Sequence, residues 1–392
     1  MPQPYRAGAI GRTGQGNFGH FLDLAYQALA NVDFVAVSDP DPAGRAAAME
    51  RTGAPRGYTD YRDMLAQEKL DLVSVGPHWF DSERAQMVIA CAQAKVKGIL
   101  CEKPLAGTLA DADAILAACE ENGVRLAVAH RRASAYEQHA KQLVTSGAIG
   151  QIQVMRGHGK ADHRAGAMDL LVLGTHIMDS VRYFAASDVA WAHGHVTQDG
   201  REVTLEDIHE GAQGVGLLAG NGVAAYYVFR NGVTAHYESY PGDRAGSRWF
   251  GLEIYGSKGI ISLRNSPGGE MYLYPHGLWI PGEADGKWQR ILLEEWERRP
   301  DGQLRSDQER MHLSNQMIVE ELIQAIEQDR EVVTCSSGRD GRAALEMIMA
   351  VHESQRIRGR VEFPLQNREN PYATWRRGAS RGHAQGLTPP SR

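Results

Sequence analysis

The sequence predicts two folded domains, an α/β domain built on a doubly wound parallel sheet and an α+β domain with a large, mostly antiparallel, open-faced sheet. Short apolar runs alternate with amphipathic helical patterns as far as residue 128, and this alternation is typical of a parallel sheet wound with helices. Beyond it, strand-like runs are separated by glycine and Asn-Gly turns, which indicate hairpins. A chain of 392 residues, 43% hydrophobic and 23% charged, is long enough for two or three folded domains.

The first domain is expected to span residues 1–129. The pattern after Thr108 illustrates the evidence, because Thr108 can cap a helix, apolar residues recur on one face, and Gly123 can end it. We predict the strands and helices of this domain at residues 8–10, 18–29, 34–37, 70–75, 86–94, 98–101, 109–119 and 125–129.

The second domain is expected at residues 130–365. A tail at 366–392, rich in Arg, Gly, Pro and Ser, is expected to be extended or clamped on a neighbour. Because an open-faced sheet has one apolar face in need of cover, we expect a homodimer or homotetramer. The predicted strands are 152–156, 214–218, 224–229, 233–237, 251–255 and 260–263, and the predicted helices are 306–328 and 340–358.

The composition favours a small-molecule partner. A formal net charge of -6 provides no large basic surface for nucleic acid or an anionic membrane. The four cysteines lie apart, without the spacing of a metal site or a disulfide framework, and are typical of reduced, buried thiols. There is neither an export signal nor an apolar run of the roughly 18 residues that a membrane span needs, so we expect a cytoplasmic protein.

A glycine-rich segment follows the first predicted strand. Gly14, Gly16 and Gly19 fit the G-x-G-x-x-G pattern of Rossmann folds that bind dinucleotides, and Gly11 offers a further tight turn. Such glycines let the backbone approach a pyrophosphate at the start of a helix, where free amides favour negative charge. For the motif alone, an ordinary glycine-rich turn is the alternative. The residues predicted here to bind a dinucleotide are Gly11, Gly14, Gly16, Asn17, Phe18 and Gly19.

A carboxylate at the end of the second predicted strand indicates which dinucleotide is bound. Asp39 stands 20 residues after Gly19, where it can accept hydrogen bonds from the adenine ribose. Asp39 and Asp41 would repel a 2′-phosphate, and no arginine follows the strand immediately, so NAD is favoured over NADP. Arg12, in the glycine loop, is a basic residue that could still reach a phosphate.

Two further motifs accompany the nucleotide-binding pattern. A Glu-Lys-Pro sequence at 102–104 follows a predicted strand, and a Gly-Thr-His sequence at 174–176 opens a helix in the second half. With residues 252–259 of the sheet domain, they resemble the Gfo/Idh/MocA oxidoreductase family over roughly residues 5–365. The resemblance implies an NAD-dependent oxidoreductase that acts on carbohydrates.

The resemblance also implies a role for Lys103 beside the nicotinamide and the reacting hydroxyl, with Glu102 and Pro104 fixing the turn. Elementary electrostatics agrees with that role. A lysine near a positively charged nicotinamide and partly removed from water loses its proton more easily, which suits a group that relays a hydroxyl proton. We therefore expect Lys103 to be catalytic and to contact both cofactor and substrate, and Glu102 to contact the cofactor.

His176 is the second expected catalytic residue, and Thr175 beside it is an expected substrate contact. His176 and Asp179 are three residues apart on a predicted helix, so as a pair they could position a substrate hydroxyl and accept its proton. Related dehydrogenases commonly carry an aspartate four residues before this histidine, where this chain has Val172. Either Asp169 or Asp179 replaces it, or His176 acts differently. The alternatives are that His176 is an ordinary histidine at the start of a helix or that it forms half of a metal site. Because no third ligand has a suitable spacing, no metal is expected.

Residues 75–79 follow a strand, and the family geometry places them near the nicotinamide ribose. Pro77 and His78 are the expected cofactor contacts there. His78 and Trp79 are either walls of the pocket or a loop with an ordinary buried aromatic residue.

The remaining expected substrate contacts are cationic. His130 and Arg131 follow the last strand of the first domain, and Lys160 and Arg164 lie in the loop that leads to His176. This charge exceeds what a neutral polyol needs. Either the pocket takes an anionic substrate, such as a sugar acid or sulfosugar, or these side chains pair with carboxylates or face solvent.

The expected reaction is hydride transfer between NAD and a secondary hydroxyl of a sugar, sugar acid or polyol. The alternative is an oxidoreductive glycosidase, in which transient oxidation, elimination, hydration and re-reduction cleave a glycoside without net redox change. A third reading is a non-catalytic NAD-binding sensor on the same fold. The presence of both Lys103 and His176 weighs against that reading.

Overall fold

The computed structural model describes residues 3–77, 82–242, 249–265, 268–280 and 286–384. In its first half, strands and helices alternate. They are β1 (Tyr5–Ile10), β2 (Val32–Ser38), α1 (Pro42–Thr52), β3 (Arg56–Tyr58), α2 (Tyr61–Glu68), β4 (Leu72–Val75), α3 (Ser82–Gln93), β5 (Gly98–Cys101), α4 (Leu109–Asn122) and β6 (Arg125–Val128).

In the described residues, the second half combines thirteen strands with seven α-helices, of which three precede the strand at 189–198 and four follow the strand at 289–291. Its elements are α5 (Ala135–Thr145), β7 (Ile152–His158), α6 (Ala165–Val172), α7 (Gly174–Ala185), β8 (Val189–Gln198), β9 (Arg201–Glu202), β10 (His209–Glu210), β11 (Leu217–Leu218), β12 (Gly222–Phe229), β13 (Thr234–Ser239), β14 (Gly251–Gly256), β15 (Ile260–Arg264), β16 (Glu270–Tyr274), β17 (Gln289–Ile291), α8 (Glu294–Glu297), α9 (Asp307–Glu327), β18 (Ser336–Ser337), α10 (Gly338–Ile357), β19 (Val361–Glu362) and α11 (Pro371–Ala384). Apart from the four-residue α8 and the C-terminal α11, the later helices are the predicted pair α9 and α10.

The first sheet confirms the predicted doubly wound architecture. Within the described residues its strand order is β18-β6-β5-β4-β1-β2-β3, and all its pairs are parallel except β18 with β6. The strand order reverses between β1 and β4, and ligands of such sheets bind outside the carboxyl ends of the strands at that point. The predicted domain boundary at 129/130 stays a prediction, although β18 and α9 pack on this sheet from beyond it.

The second sheet is large and mostly antiparallel, as predicted. Its order in the described residues is β17-β16-β15-β14-β7-β13-β12-β8-β19, with β9 attached to β8, and only β7 and β13 pair in parallel. Side chains of β12 alternate between buried and half-buried positions, which is the pattern of a sheet packed on one face. The helices α6, α7 and α10 pack against this sheet, so the chain itself covers the apolar face.

The predicted helix at 18–29 is wrong. The chain there forms turns and a single 3-10 turn, Leu22–Leu24, and both Phe21 and Ala28 have left-handed backbone conformations. Tertiary contacts explain the difference, because the Phe18 ring lies over Gly11 and the His20 amide donates to the Glu102 carboxylate. These contacts fix the segment in a shape that its helical periodicity does not reveal.

Two further predictions need correction. The tail is not extended over Pro371–Ala384, which is α11, and its residue Tyr372 is fully buried with its hydroxyl 3.1 Å from Nδ1 of His352. The strand predicted at 214–218 is reduced to β11, because Gln213, Gly214 and Gly216 take left-handed conformations.

Among the described residues, no helix is both long enough and apolar enough to cross a membrane.

Candidate active site

The glycine-rich loop between β1 and β2 forms an open cradle. Gly14, Gly16 and Gly19 all have positive φ angles, between 67° and 86°, which glycine adopts without strain. A Cβ added at Gly14 would meet no atom within 4 Å, so the backbone there faces open space. Within the described residues, the amides of Gly16 and Phe18 have no hydrogen-bond partner. Free amides in such a loop fit an anionic pyrophosphate.

Other loop residues hold the cradle in shape. The Asn17 side chain accepts a hydrogen bond from the Gly14 amide at 3.0 Å, and Phe18 packs over Gly11. A cavity of about 360 Å³ adjoins Gly11 at the carboxyl ends of β1 and β2. The loop therefore fits a dinucleotide without the helix that the sequence predicts.

Asp39 is placed at the expected strand end, but its carboxylate already has partners. It accepts hydrogen bonds from the Thr13 amide at 3.0 Å, the Thr13 hydroxyl at 2.7 Å and the Asp41 amide at 2.9 Å, and it is fully buried. Asp41 caps α1 by accepting from the Gly44 amide. Arg12 forms an ion pair with Glu83, so its charge is compensated within the chain.

Glu102 connects the glycine loop to the predicted catalytic lysine. Its buried carboxylate accepts from the His20 amide at 2.9 Å and from the Lys103 amide at 2.6 Å, and it pairs with the His20 imidazole. Burial alone would raise the pKa of Glu102, but His20, Lys103 and Arg84 together hold it well below its usual value. The permanently ionised Glu102 thus fixes both segments.

Lys103 is almost fully buried, and its ammonium nitrogen donates to the backbone carbonyl of Val172 at 2.8 Å. Val172 is the last residue of α6, so this carbonyl has no intrahelical partner and lies at the negative end of the helix dipole. Burial lowers the pKa of Lys103 to about 8; Glu102 opposes that shift, and Arg84 and Arg164 add to it.

His176 lies at the start of α7 with its ring 5.6 Å from the His130 ring. Burial, reinforced by Lys103 and His130, lowers the pKa of His176 well below 6.5, so the ring is neutral. Its Nδ1 atom is buried and has no hydrogen-bond partner among the described residues. The described residues also contain no group of three potential metal-ligating side chains.

Neither proposed aspartate supports His176. Asp179 instead accepts hydrogen bonds from Arg132 at 2.6 Å and from the Ser336 hydroxyl at 2.9 Å. Asp169 accepts from the Lys160 amide at 2.8 Å and the Ser239 hydroxyl at 2.6 Å, which holds the loop after β7. The predicted pair of Asp179 with His176 is not formed, because the carboxylate is bonded to Arg132 and Ser336 and lies 3.8 Å from Nδ1 of His130.

Asp179→Asn should lower the free energy of unfolding and leave the catalytic mechanism unchanged. Breaking a buried ion pair costs about 3–5 kcal/mol, and Arg132 keeps Asp340 at 2.9 Å, so the lower end of that range is expected. Urea unfolding measures the loss. The control Asp188→Asn removes an exposed partner of Arg182 and should cost less than about 1 kcal/mol. If the Asp179→Asn variant kept its stability but showed a shifted pH dependence of activity, Asp179 would take part in proton transfer.

A cavity of about 280 Å³ brings most predicted substrate contacts together. Six of the predicted residues line it: Lys103, His130, Arg131, Lys160, Arg164 and His176. Thr175 is fully buried and lies outside the lining; its hydroxyl is 2.9 Å from Nε2 of His130, which it orients. Pro77 is also outside it, with its carbonyl accepting from Arg84, and His78 and Trp79 lie outside the described residues.

Sequence reasoning missed several residues of this cavity. His20 follows the glycine motif directly, so its position was a usable signal. The others come from distant segments whose sequences carry no motif. They are Phe250, Asn265, Trp296, Arg310 and Asn315.

Comparison with known proteins agrees with this geometry. Residues 8–130 match the family described as "Oxidoreductase family, NAD-binding Rossmann fold", GFO_IDH_MocA. Levoglucosan dehydrogenase of Pseudarthrobacter phenanthrenivorans is 26% identical over 285 residues, 64% of this chain and 72% of that protein. Myo-inositol 2-dehydrogenase of Thermotoga maritima is 26% identical over 271 residues, 65% of this chain and 75% of that protein.

Solved structures show the same fold. A levoglucosan dehydrogenase in complex with NADH superimposes with a TM-score of 0.73 at 21% identity, covering 93% of this chain and all of that one. The glycine cradle and the reversal of strand order lie within the matched segment 8–130. Residues 8–130 therefore resemble the NAD-binding Rossmann domain of the Gfo/Idh/MocA oxidoreductase family.

Proposed function

We propose that this protein is an NAD-dependent dehydrogenase that oxidises a secondary hydroxyl of a sugar, sugar acid or polyol. One observation carries the proposal. Lys103, with its lowered pKa, and the neutral His176 line the same cavity, and Glu102 ties Lys103 to the glycine loop of the NAD-binding domain. The named relatives that act on levoglucosan and inositol support a carbohydrate substrate.

Bound NAD supplies the hydride acceptor, and the chain supplies alignment and proton transfer. Lys103 in its neutral form accepts the proton of the substrate hydroxyl. The Val172 carbonyl orients the amine without adding a formal charge, whereas an aspartate at position 172 would stabilise the ammonium form. The departure from the family pattern therefore favours Lys103 as the base.

His176 contributes as a neutral hydrogen-bonding group. A ring that stays neutral can accept a hydrogen bond from the substrate hydroxyl at one nitrogen and donate from the other. Its position in the cavity wall beside His130 fits the positioning of the hydroxyl that Lys103 deprotonates.

The pH dependence of the reaction should follow Lys103. Oxidation needs the neutral amine, so kcat/KM should rise with pH up to the Lys103 pKa of about 8 and level off above it. His176 should add no break in the neutral range because its pKa is far lower. Initial rates across this range give the profile. Lys103→Arg should abolish the break, and a profile that is flat in the wild type would contradict the assignment.

A panel of sugars, sugar acids, polyols and aryl glycosides tests the proposed activity. The wild-type protein with NAD should produce NADH, measured by its absorbance, from at least one free carbohydrate. Aglycone release without net NADH would instead identify a glycosidase, and NAD binding with neither product would identify a sensor.

We also propose that the protein is a homo-oligomer that pairs through the face of the large sheet opposite α6, α7 and α10. That face presents half-buried aromatic residues, among them Trp191 in edge-to-face contact with Tyr226 at 5.6 Å and Tyr255 beneath Arg156 at 5.0 Å. Sedimentation at micromolar protein should give a mass of two or four chains, and a single-chain mass would refute it.

A further inference from the structure

The wall of the candidate substrate cavity is unusually cationic. Five side chains that line it carry a lysine or arginine charge: Lys103, Arg131, Lys160, Arg164 and Arg310. Among the described residues that line the cavity, there is no aspartate or glutamate. A ligand in this space therefore meets positive charge on several sides and no opposing carboxylate.

The carboxylates that pair with these cations are fewer than the cations. Lys160 and Arg164 share Asp162, at 3.7 Å and 3.0 Å respectively. Arg131 lies 3.4 Å from Glu137, and Arg310 lies 2.5 Å from Asp307. Three carboxylates thus serve four cations, before Lys103 is counted, and none of the three lines the cavity.

Arg131 and Arg310 are brought together at one turn. Gly268 and Gly269 both have positive φ, and the guanidinium of Arg310 lies so close to Gly268 that a Cβ there would overlap it at 2.3 Å. A Cβ at Gly269 would approach the Arg131 guanidinium at 3.1 Å. The two glycines therefore let two guanidiniums lie against adjacent residues. The Nε atom of Arg310 is buried without a hydrogen-bond partner in the described part of the chain.

The hydrogen-bonding character of the wall matches its charge. Arginine and lysine only donate hydrogen bonds, whereas the hydroxyls of a neutral sugar both donate and accept. The arginines and Lys160 offer a neutral sugar only donors, so acceptors are left to other lining side chains such as Asn315, whose amide nitrogen bonds the His20 carbonyl. A carboxylate or sulfonate only accepts, and arginine binds such groups through two parallel bonds.

The electrostatic effects on two cavity residues agree with that geometry. After burial, the largest effects that lower the pKa of His176 come from Lys103, His130 and Arg131. Arg164 and Lys160 are among the charges that lower the pKa of Lys103. Positive charges therefore surround His176, and an anionic substrate would offset them, whereas at Lys103 the Glu102 carboxylate opposes the arginines and Lys160.

We infer that the substrate carries an acidic group, a carboxylate or sulfonate, held by Arg131 and Arg310 at the turn formed by Gly268 and Gly269. Lys160 and Arg164 extend the positive surface of the same cavity. The inference rests on the proposed dehydrogenase function and narrows it to acidic sugars.

Binding to the enzyme–NADH complex, followed by NADH fluorescence, tests the inference. In the first set of probes, neutral D-glucose is compared with D-glucuronate and with 6-deoxy-6-sulfo-D-glucose. In the second set, neutral D-galactose is compared with D-galacturonate. At least one acidic probe should bind about tenfold or more tightly than its neutral counterpart, and its Kd should rise with salt concentration. Comparing the Kd of D-glucuronate with that of 6-deoxy-6-sulfo-D-glucose shows whether the site prefers a carboxylate or a sulfonate.

Variants locate the acidic group. Arg310→Gln should remove most of the preference, and Arg310→Lys should keep part of it because the charge remains. Arg131→Gln should act in the same direction, so the test does not depend on one variant folding. The matched control Arg201→Gln changes an exposed arginine paired with Asp207 on β9 and should leave the preference unchanged.

The outcomes separate this inference from the dehydrogenase proposal. The acidic-group assignment is overturned if the neutral member of every pair binds equally or more tightly. It is also overturned if the preference for the acidic probe is unchanged in both Arg310→Gln and Arg131→Gln. Preferential binding of an acidic probe that never yields NADH supports the assignment and counts against dehydrogenation. NADH formed only from neutral sugars supports dehydrogenation and overturns the assignment.

Discussion

Lys103→Met is expected to lower kcat about 10³-fold, within the range for loss of a general base. The methionine keeps most of the buried volume of the lysine stem but cannot accept a proton. NADH affinity should change less than about threefold, because the amine bonds the Val172 carbonyl and lines the substrate cavity. Steady-state rates and a fluorescence titration with NADH measure the two effects separately.

Lys97→Met is the matched control. Lys97 is half exposed and pairs with Asp71 at 2.9 Å on the outside of the first sheet. Its loss should leave kcat unchanged. If folded Lys103→Met retained kcat within about tenfold of the wild type, Lys103 would not be the base.

His176→Ala is expected to lower kcat about 10²-fold with NAD affinity intact. The low pKa of His176 gives this prediction a second part. A neutral ring acts through hydrogen bonds, so His176→Asn, whose amide can also donate and accept, should recover part of the lost activity. Comparing kcat for the three proteins tests both parts.

His195→Ala serves as the control, because His195 is half exposed on β8, away from the cavity. Turnover in His176→Ala equal to that of the wild type would remove this residue from the mechanism. An asparagine variant no better than alanine would mean that the imidazole ring itself is required.

The fold was predictable where local patterns and tertiary structure agree. α4 begins after Thr108 and ends at Gly123, because the side chain of Thr108 caps the Asp111 amide and glycine takes the left-handed conformation at the end. β8, the second strand from one edge of the large sheet, was missed because its sequence, VAWAHGHVTQ, contains glycine and histidines in place of a clear apolar alternation. Pairing with β12 and packing on α10 decide its structure, and neither is visible locally.

The candidate site was predictable only in part, for a related reason. Lys103 and His176 were found because they sit in short contiguous motifs. The direction in which a side chain points depends on its partners, which the sequence does not show. Asp179 was therefore paired with His176 from their spacing, although its carboxylate binds Arg132. Arg310 was missed because nothing in the helical pattern of α9 indicates that its first turns reach a cavity formed with His20 and Lys103.

Hydride transfer itself is tested most directly by isotopic labelling. The panel member that turns over fastest, deuterated at its ring carbons, is incubated with the protein and NAD, and the NADH is analysed by mass spectrometry. We expect NADH heavier by one deuterium, formed in step with the oxidised sugar. Unlabelled NADH, or sugar consumed without any labelled NADH, would contradict it.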